Sequence, residues 1–130
     1  MGLILDTNFI ITAEREAKRG QVGRADQFLA RHPGEAFFIT STVAGELACG
    51  QSASRRADWE CLCRPYPVLA WTREVSWQYG EIYRNLAAKG QLIGANDMWI
   101  AATALAHGMS VVTNNKEEFE RVSGLIVITY

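Results

Sequence analysis

The chain is punctuated by short apolar runs: Gly2-Leu3-Ile4-Leu5, Ala36-Phe37-Phe38-Ile39-Thr40, Val68-Leu69-Ala70-Trp71, Ser110-Val111-Val112-Thr113 and Leu125-Ile126-Val127-Ile128. Runs this short, without polar alternation, suit strands buried on both faces, and burying both faces requires a layer of helices on each side. The intervening stretches carry helix-spaced apolar positions. Phe9-Ile10-Ile11 continues to Ala13 and Ala17, and Val75, Tyr79, Ile82 and Leu86 form one stripe closed by Gly90. Asp97 to His107 is apolar on nearly all sides and belongs in the interior. The expected fold class is α/β, in three layers: a central, mostly parallel sheet of about five strands with helices on both faces.

Local signals place the remaining elements. A helix is expected from about Ala25 to Arg31, ended by His32-Pro33-Gly34, then one capped by Ser41 or Thr42 that carries Glu46. Another runs from about Ala53 to Cys63. Thr72 caps a long helix to about Lys89, Asn96 caps the one beginning at Asp97, and a short helix spans Glu117 to Arg121. No repeat, linker or low-complexity tract divides the 130 residues, so one domain over 1–130 is expected. An apolar fraction of 48% and a charged fraction of 21% argue against disorder and against a coiled coil.

A formal net charge of −1 excludes a protein that grips nucleic acid by phosphate charge alone, though not one that takes nucleic acid as substrate. Basic residues gather locally, at Arg15, Lys18, Arg19 and Arg24 and again at Arg55-Arg56. The apolar opening meets Asp6 too soon for a signal-peptide core or a membrane span, so a soluble cytoplasmic protein is expected. Cys49, Cys61 and Cys63 are odd in number and form neither a C-x-x-C pair nor a zinc spacing with His; buried reduced thiols are expected.

Acidic residues stand where elements end. Asp6 closes the first strand, Glu46 lies one turn into the helix after the second, and Asp97 opens the apolar helix. If that helix runs antiparallel to the next strand, Asp97 reaches the edge where Thr113-Asn114-Asn115 ends that strand. Ligands of open parallel sheets bind at this edge. Carboxylates brought together there repel: a pair about 4 Å apart costs ~4 kcal/mol at an effective dielectric of about 20, against a domain stability of ~5–15 kcal/mol. A divalent cation removes the conflict, and oxygen donors without neighbouring His or Cys suit Mg²⁺, with Mn²⁺ able to substitute. The residues thus describe a small metal-dependent phosphodiesterase. A strand ending in Asp also opens aspartyl-phosphate phosphatases, but their second Asp two residues on is here Asn8.

Leu5-Asp6-Thr7-Asn8, Glu46-Leu47, Asn96-Asp97-x-x-Ile100-Ala101-Ala102 and Val112-Thr113-Asn114-Asn115-x-x-Glu118-Phe119 follow one another across nearly the whole chain. In this order they resemble the signatures of PIN-domain nucleases, and most closely the small bacterial VapC-type toxin, a ribonuclease held inactive by an antitoxin encoded beside it. The resemblance implies that Asp6, Glu46 and Asp97 hold the metal and, with Asn115, form the catalytic set. The family's last motif commonly adds a fourth acid. Asn115 stands at that position and the next acid is Glu118, so either Asn115 orients a water or Glu118 contributes from further out. Thr7, Asn8 and Thr113 are expected to tie the loops together by hydrogen bonds.

The implied activity is hydrolysis of RNA phosphodiesters by metal-activated water, on single-stranded or looped RNA whose bases are exposed. The implied partners are RNA, a cognate antitoxin and a second copy of the chain, the last suggested also by Trp71, Trp77, Tyr79 and Tyr83 around the long helix. The alternatives are an RNA-processing PIN nuclease that is not a toxin and a non-catalytic PIN-like binding module.

Overall fold

β1 (Gly2–Leu5) is buried along its whole length because it lies in the middle of the sheet. The computed structural model describes residues 2–130. Its sheet has five strands in the order β3-β2-β1-β4-β5, formed by β1, β2 (Ala36–Thr40), β3 (Val68–Leu69), β4 (Ser110–Val112) and β5 (Val127–Ile128). Every pairing is parallel. The register sets Leu3 beside Phe37 and Leu5 beside Val112. The chain therefore builds outward from β1 on one side, returns to β1's other edge and builds outward again. That reversal is a topological switch point, located between β1 and β4.

The helices follow the apolar spacing. α1 (Thr7–Lys18) buries Phe9 and Ile10, and Phe9 meets Phe28 of α2 (Arg24–Arg31) edge-on, with ring centroids 5.7 Å apart. α3 (Ser41–Ala48) is fixed to α4 (Arg56–Cys63) by the Trp59 indole N–H, which donates to the Ala44 carbonyl at 2.9 Å. α5 (Arg73–Ala88) buries Val75, Ile82 and Leu86 of the expected stripe, and packs on α6 (Ala95–His107). α6 is buried at Met98, Ile100, Ala101, Ala102, Thr103 and Ala104, which explains its lack of a polar face. Each fully buried Ile, Leu or Phe contributes roughly 1.5–3 kcal/mol. The sheet layer of Ile4, Leu5, Ile39, Val111 and Val112 thus carries much of the stability.

Gly108 ends α6 at φ 64, a left-handed position that lets the chain reverse into β4 without Cβ strain. The reversal sends β4 back antiparallel to α6 and leaves the first turn of α6 at the carboxyl edge of the sheet. α7 (Lys116–Phe119) follows β4.

Several caps and ends differ from the expected ones. Thr40, not Ser41 or Thr42, caps α3, its hydroxyl accepting from the Val43 N–H at 3.1 Å. α6 starts at Ala95 with Gly94 before it, so Asn96 lies inside the first turn, where its amide donates to Glu46. The helix expected from Ala53 begins only at Arg56, since Gln51–Ala53 forms a 3₁₀ turn that buries the Ala53 methyl. Of the cysteines only Cys63 is buried; Cys49 and Cys61 are exposed, and all are free thiols. No helix among the described residues is long and apolar enough to cross a membrane.

Candidate active site

Asp6 sits at the switch point, at the end of β1 and the start of α1. Its backbone N–H continues the ladder to the Val112 carbonyl at 3.0 Å. Its carboxylate is 6% exposed and held on both oxygens: Oδ1 accepts from the Thr7 N–H at 2.7 Å and Oδ2 from the Thr113 hydroxyl at 2.7 Å. Burial pushes its pKa up, the Thr113 and Thr7 hydrogen bonds pull it back, and the charge of Glu46 adds to the rise.

Glu46 reaches the same place from α3. Its Oε1 accepts from the Thr7 hydroxyl at 2.6 Å and its Oε2 from the Asn96 side-chain amide at 3.3 Å. Thr42, one turn earlier on the same face of α3, has a buried hydroxyl with no hydrogen-bond partner among the described residues.

Asp97 lies in the first turn of α6, where the helix dipole favours a negative charge. Even so its pKa is pushed up to about 7, first by burial, then by the charge of Asp6, then by contact with Glu118 and its charge, and last by Glu46. The Asn115 amide nitrogen bridges the two acids, donating to Asp97 Oδ2 at 3.2 Å and to Glu118 Oε2 at 3.1 Å. The Asn115 backbone N–H donates to the Thr113 hydroxyl at 3.0 Å, and that hydroxyl donates in turn to Asp6. Hydroxyls and amides therefore link Asp6, Glu46, Asp97 and Glu118 in one network.

No ion pair among the described residues reaches these acids. The pairs run along single helices or at their starts, as in Glu14 with Lys18 and Arg56 with Glu60. Among the described residues no three His, Cys, Asp or Glu side chains close into a ready-made cation cage. The acids meet at one edge, bridged through Thr7, Thr113 and Asn115, and Asp97 also meets Glu118 carboxyl to carboxyl.

Thr7, Thr113, Asn115 and Glu118 all join the network; Asn8 is exposed and makes no side-chain hydrogen bond in it. Sequence reasoning assigned Asn96 to a cap and missed its bond to Glu46. The adjacent Asn96-Asp97 pair in the first turn of an apolar helix was the available signal. It also missed that Asn114 Oδ1 accepts from the Tyr130 N–H at 3.2 Å, while the Tyr130 ring packs on Phe9 at 4.8 Å.

Open parallel α/β sheets bind their ligands at the topological switch point, and in this chain that point carries the acid network. The chain belongs to the PIN domain family, whose model matches residues 3–125. It is homologous to VapC-type toxins of type II toxin–antitoxin systems. Ribonuclease VapC1 of Rickettsia felis is 33% identical over 99% of this chain and 96% of its own length. Among solved structures, VapBC-1 from nontypeable Haemophilus influenzae superposes with a TM-score of 0.81 at 27% identity, covering 99% of this chain and 98% of that one. DNA-bound VapBC from Salmonella typhimurium does so with a TM-score of 0.73 at 27% identity, over 99% and 98% of the two chains.

Proposed function

We propose that this chain is a divalent-cation-dependent endoribonuclease and the toxin of a toxin–antitoxin pair. The observation that carries the reading is the network at the switch point, where Asp6, Glu46, Asp97 and Glu118 converge on shared hydroxyl and amide donors without a basic partner among the described residues. Family membership and the likeness to VapC ribonucleases support the reaction class.

The residues fit a hard cation such as Mg²⁺ or Mn²⁺. The donors are oxygens, burial and then like charge have driven Asp97 up to about 7, and the Thr42 hydroxyl, one turn from Glu46, has no hydrogen-bond partner among the described residues. Asp6, Asp97 and Glu46 would hold the ion. Bound there, it supplies Lewis-acid chemistry that makes a water nucleophilic and offsets charge on the phosphorus oxygens. Asp6 is oriented in advance by Thr7 and Thr113, so no side-chain freedom is lost when it binds. With its pKa pushed up to about 7, Asp97 is protonated in a large share of molecules at neutral pH, and a cation held there would favour its charged form. The Asn115 amide donates to Asp97 and Glu118 together and so holds Glu118 at the side of Asp97.

The whole chain acts as one domain of a cytoplasmic protein. An apolar groove between α1 and α4, lined by Ile10, Ala13, Ala17, Leu62, Pro65 and Tyr66, receives an amphipathic segment of the antitoxin. An Arg from that segment competes with the cation for Asp6 and Asp97, through bidentate bonds to carboxylate. Trp77 and Tyr83, exposed on α5, suit an interface with a second copy.

The test is cleavage of single-stranded RNA in Mn²⁺ or Mg²⁺ by wild type and by Asp6→Asn. Cation-dependent cleavage lost in the variant supports the reading. No cleavage by wild type in either cation, or equal cleavage by both proteins, rejects it.

A further inference from the structure

Aromatic rings stack at the same sheet edge as the acids. Trp71 lies two residues beyond β3, whose Leu69 pairs with Thr40, so it stands level with the start of α3. Its ring stacks on Trp99 of α6, with centroids 4.8 Å apart and planes 28° from parallel; Trp99 stacks on Tyr79 of α5 at 3.9 Å and 24°. Trp99 and Tyr79 are half-buried, while Trp71 is 54% exposed. The stack is braced from behind, because the Thr103 hydroxyl donates to the Trp99 carbonyl at 2.8 Å and Thr72 caps α5 directly after Trp71. Trp99 is one turn from Asn96, whose amide donates to Glu46. The ring stack begins where the acid network ends.

An acidic edge repels the phosphates of RNA, and a net charge of −1 provides no long-range attraction. A substrate drawn to such an edge needs an attraction that does not depend on charge. Stacking of a base on an aromatic ring is of that kind, and it accepts every base because each has a π-face. Trp77 and Tyr83, the other exposed rings of this region, take no part in the stack.

We propose that Trp71, backed by Trp99 and Tyr79, is a platform on which an unpaired base of the RNA substrate stacks beside the Glu46 end of the acid network. The proposal rests on the ribonuclease reading and names how that site holds its substrate. Trp71 positions the strand and leaves the reacting phosphate to the acids.

Binding of a short unstructured oligoribonucleotide, and of the same oligonucleotide with abasic positions, is measured in an Asp6→Asn background by anisotropy and tryptophan quenching. Trp71→Ala should weaken binding of the intact strand about tenfold. Trp71→Phe should restore most of it, and the abasic strand should bind both proteins equally weakly. In the cleaving protein, Trp71→Ala should raise KM while kcat stays near wild type. Unchanged affinity and KM in Trp71→Ala overturn the proposal. A fall in sedimenting mass caused by Trp71→Ala also overturns it, because the ring then belongs to an interface between copies. Should wild type cleave no RNA, the ribonuclease reading fails by itself, and base-dependent binding through Trp71 still reports on the platform.

Discussion

The β1–α1 junction and the first turn of α6 present an aspartate to the same crevice and hold it in opposite ways. At the junction, Asp6 is buried but satisfied, with the Thr7 N–H on one oxygen and the Thr113 hydroxyl on the other. At α6, Asp97 is half-buried and has one amide donor, from Asn115, while Asp6, Glu118 and Glu46 all raise its pKa. Two acids a few ångströms of network apart therefore differ in kind. Asp6 is a fixed point whose geometry exists before any ligand arrives, whereas Asp97 is crowded by like charge and would gain most from the cation proposed for this crevice.

The largest expected effect treats the two alike. Asp6→Asn and Asp97→Asn should each lower the rate of RNA cleavage by about 10²–10³-fold or more, the size of loss found when a preorganised charge-stabilising group is removed from a reacting centre. Single-turnover cleavage of a labelled oligoribonucleotide at saturating Mn²⁺ measures this. A variant retaining near-wild-type turnover would remove its aspartate from the chemistry and leave the other to carry the site.

Stability should separate them. Thr113→Val leaves a buried carboxylate oxygen of Asp6 without its donor, and such a loss costs about 1–3 kcal/mol. Urea denaturation of the metal-free protein should show it as a lower midpoint with an unchanged slope. Asp97→Asn should instead raise the metal-free midpoint and shrink the stabilisation given by added Mg²⁺, by mass action. If Asp97→Asn destabilises as Thr113→Val does, Asp97 is not frustrated and the contrast collapses.

Their pH dependence sharpens the same contrast. A carboxyl whose folded pKa is raised to about 7 binds more protons in the native state than in the unfolded state, where its value is near 3.8. The metal-free protein should therefore lose stability as pH rises from about 4 to about 7 and level off above that. The Asp97→Asn protein should show a flatter profile across this window. Thermal melts at fixed ionic strength test it, and an unchanged profile in the variant would assign the slope to other groups, Asp6 first.

The sheet and its edge were legible in the sequence because unbroken apolar runs such as Leu3-Ile4-Leu5 and Val111-Val112 have few alternatives to a buried strand. Asp6, Glu46 and Asp97 were legible for the same reason: each adjoins a buried element, so its neighbours fix where it ends up. The spacers between the acids were harder to foresee. That Thr113 donates to Asp6 across 107 residues, or that Asn115 bridges Asp97 and Glu118, depends on rotamers set by packing rather than by spacing. Trp71 was read as the end of a short strand and as one of the rings suggesting a second copy; the strand ends at Leu69, and the stack on Trp99 joins residues following β3 to residues on α6. Cap positions shifted by a residue or two, as at Asn96, which lies inside the first turn of α6 and donates to Glu46.

The smallest effect concerns Asn115, where the family's motif commonly carries an acid. Asn115→Asp removes the donor that Asp97 and Glu118 share and adds a third carboxylate beside them. In metal-free protein this extra repulsion should lower the melting temperature by about 2–4 °C, the shift that roughly 1 kcal/mol gives in a domain of this size. The same change adds an oxygen donor, so Mn²⁺ should bind more tightly and the deficit should close as Mn²⁺ is titrated. The equivalent change near the fixed acid should behave otherwise. Thr7→Asp places a charge beside Asp6 and Glu46 while removing the hydroxyl that Glu46 accepts from, and Mn²⁺ should recover less of that loss. Differential scanning calorimetry across a Mn²⁺ series compares the two variants directly. Full recovery at Asn115→Asp with partial recovery at Thr7→Asp places the cation-responsive side of the site at α6. Equal recovery in both would mean that the junction around Asp6 yields to a cation as readily as Asp97 does.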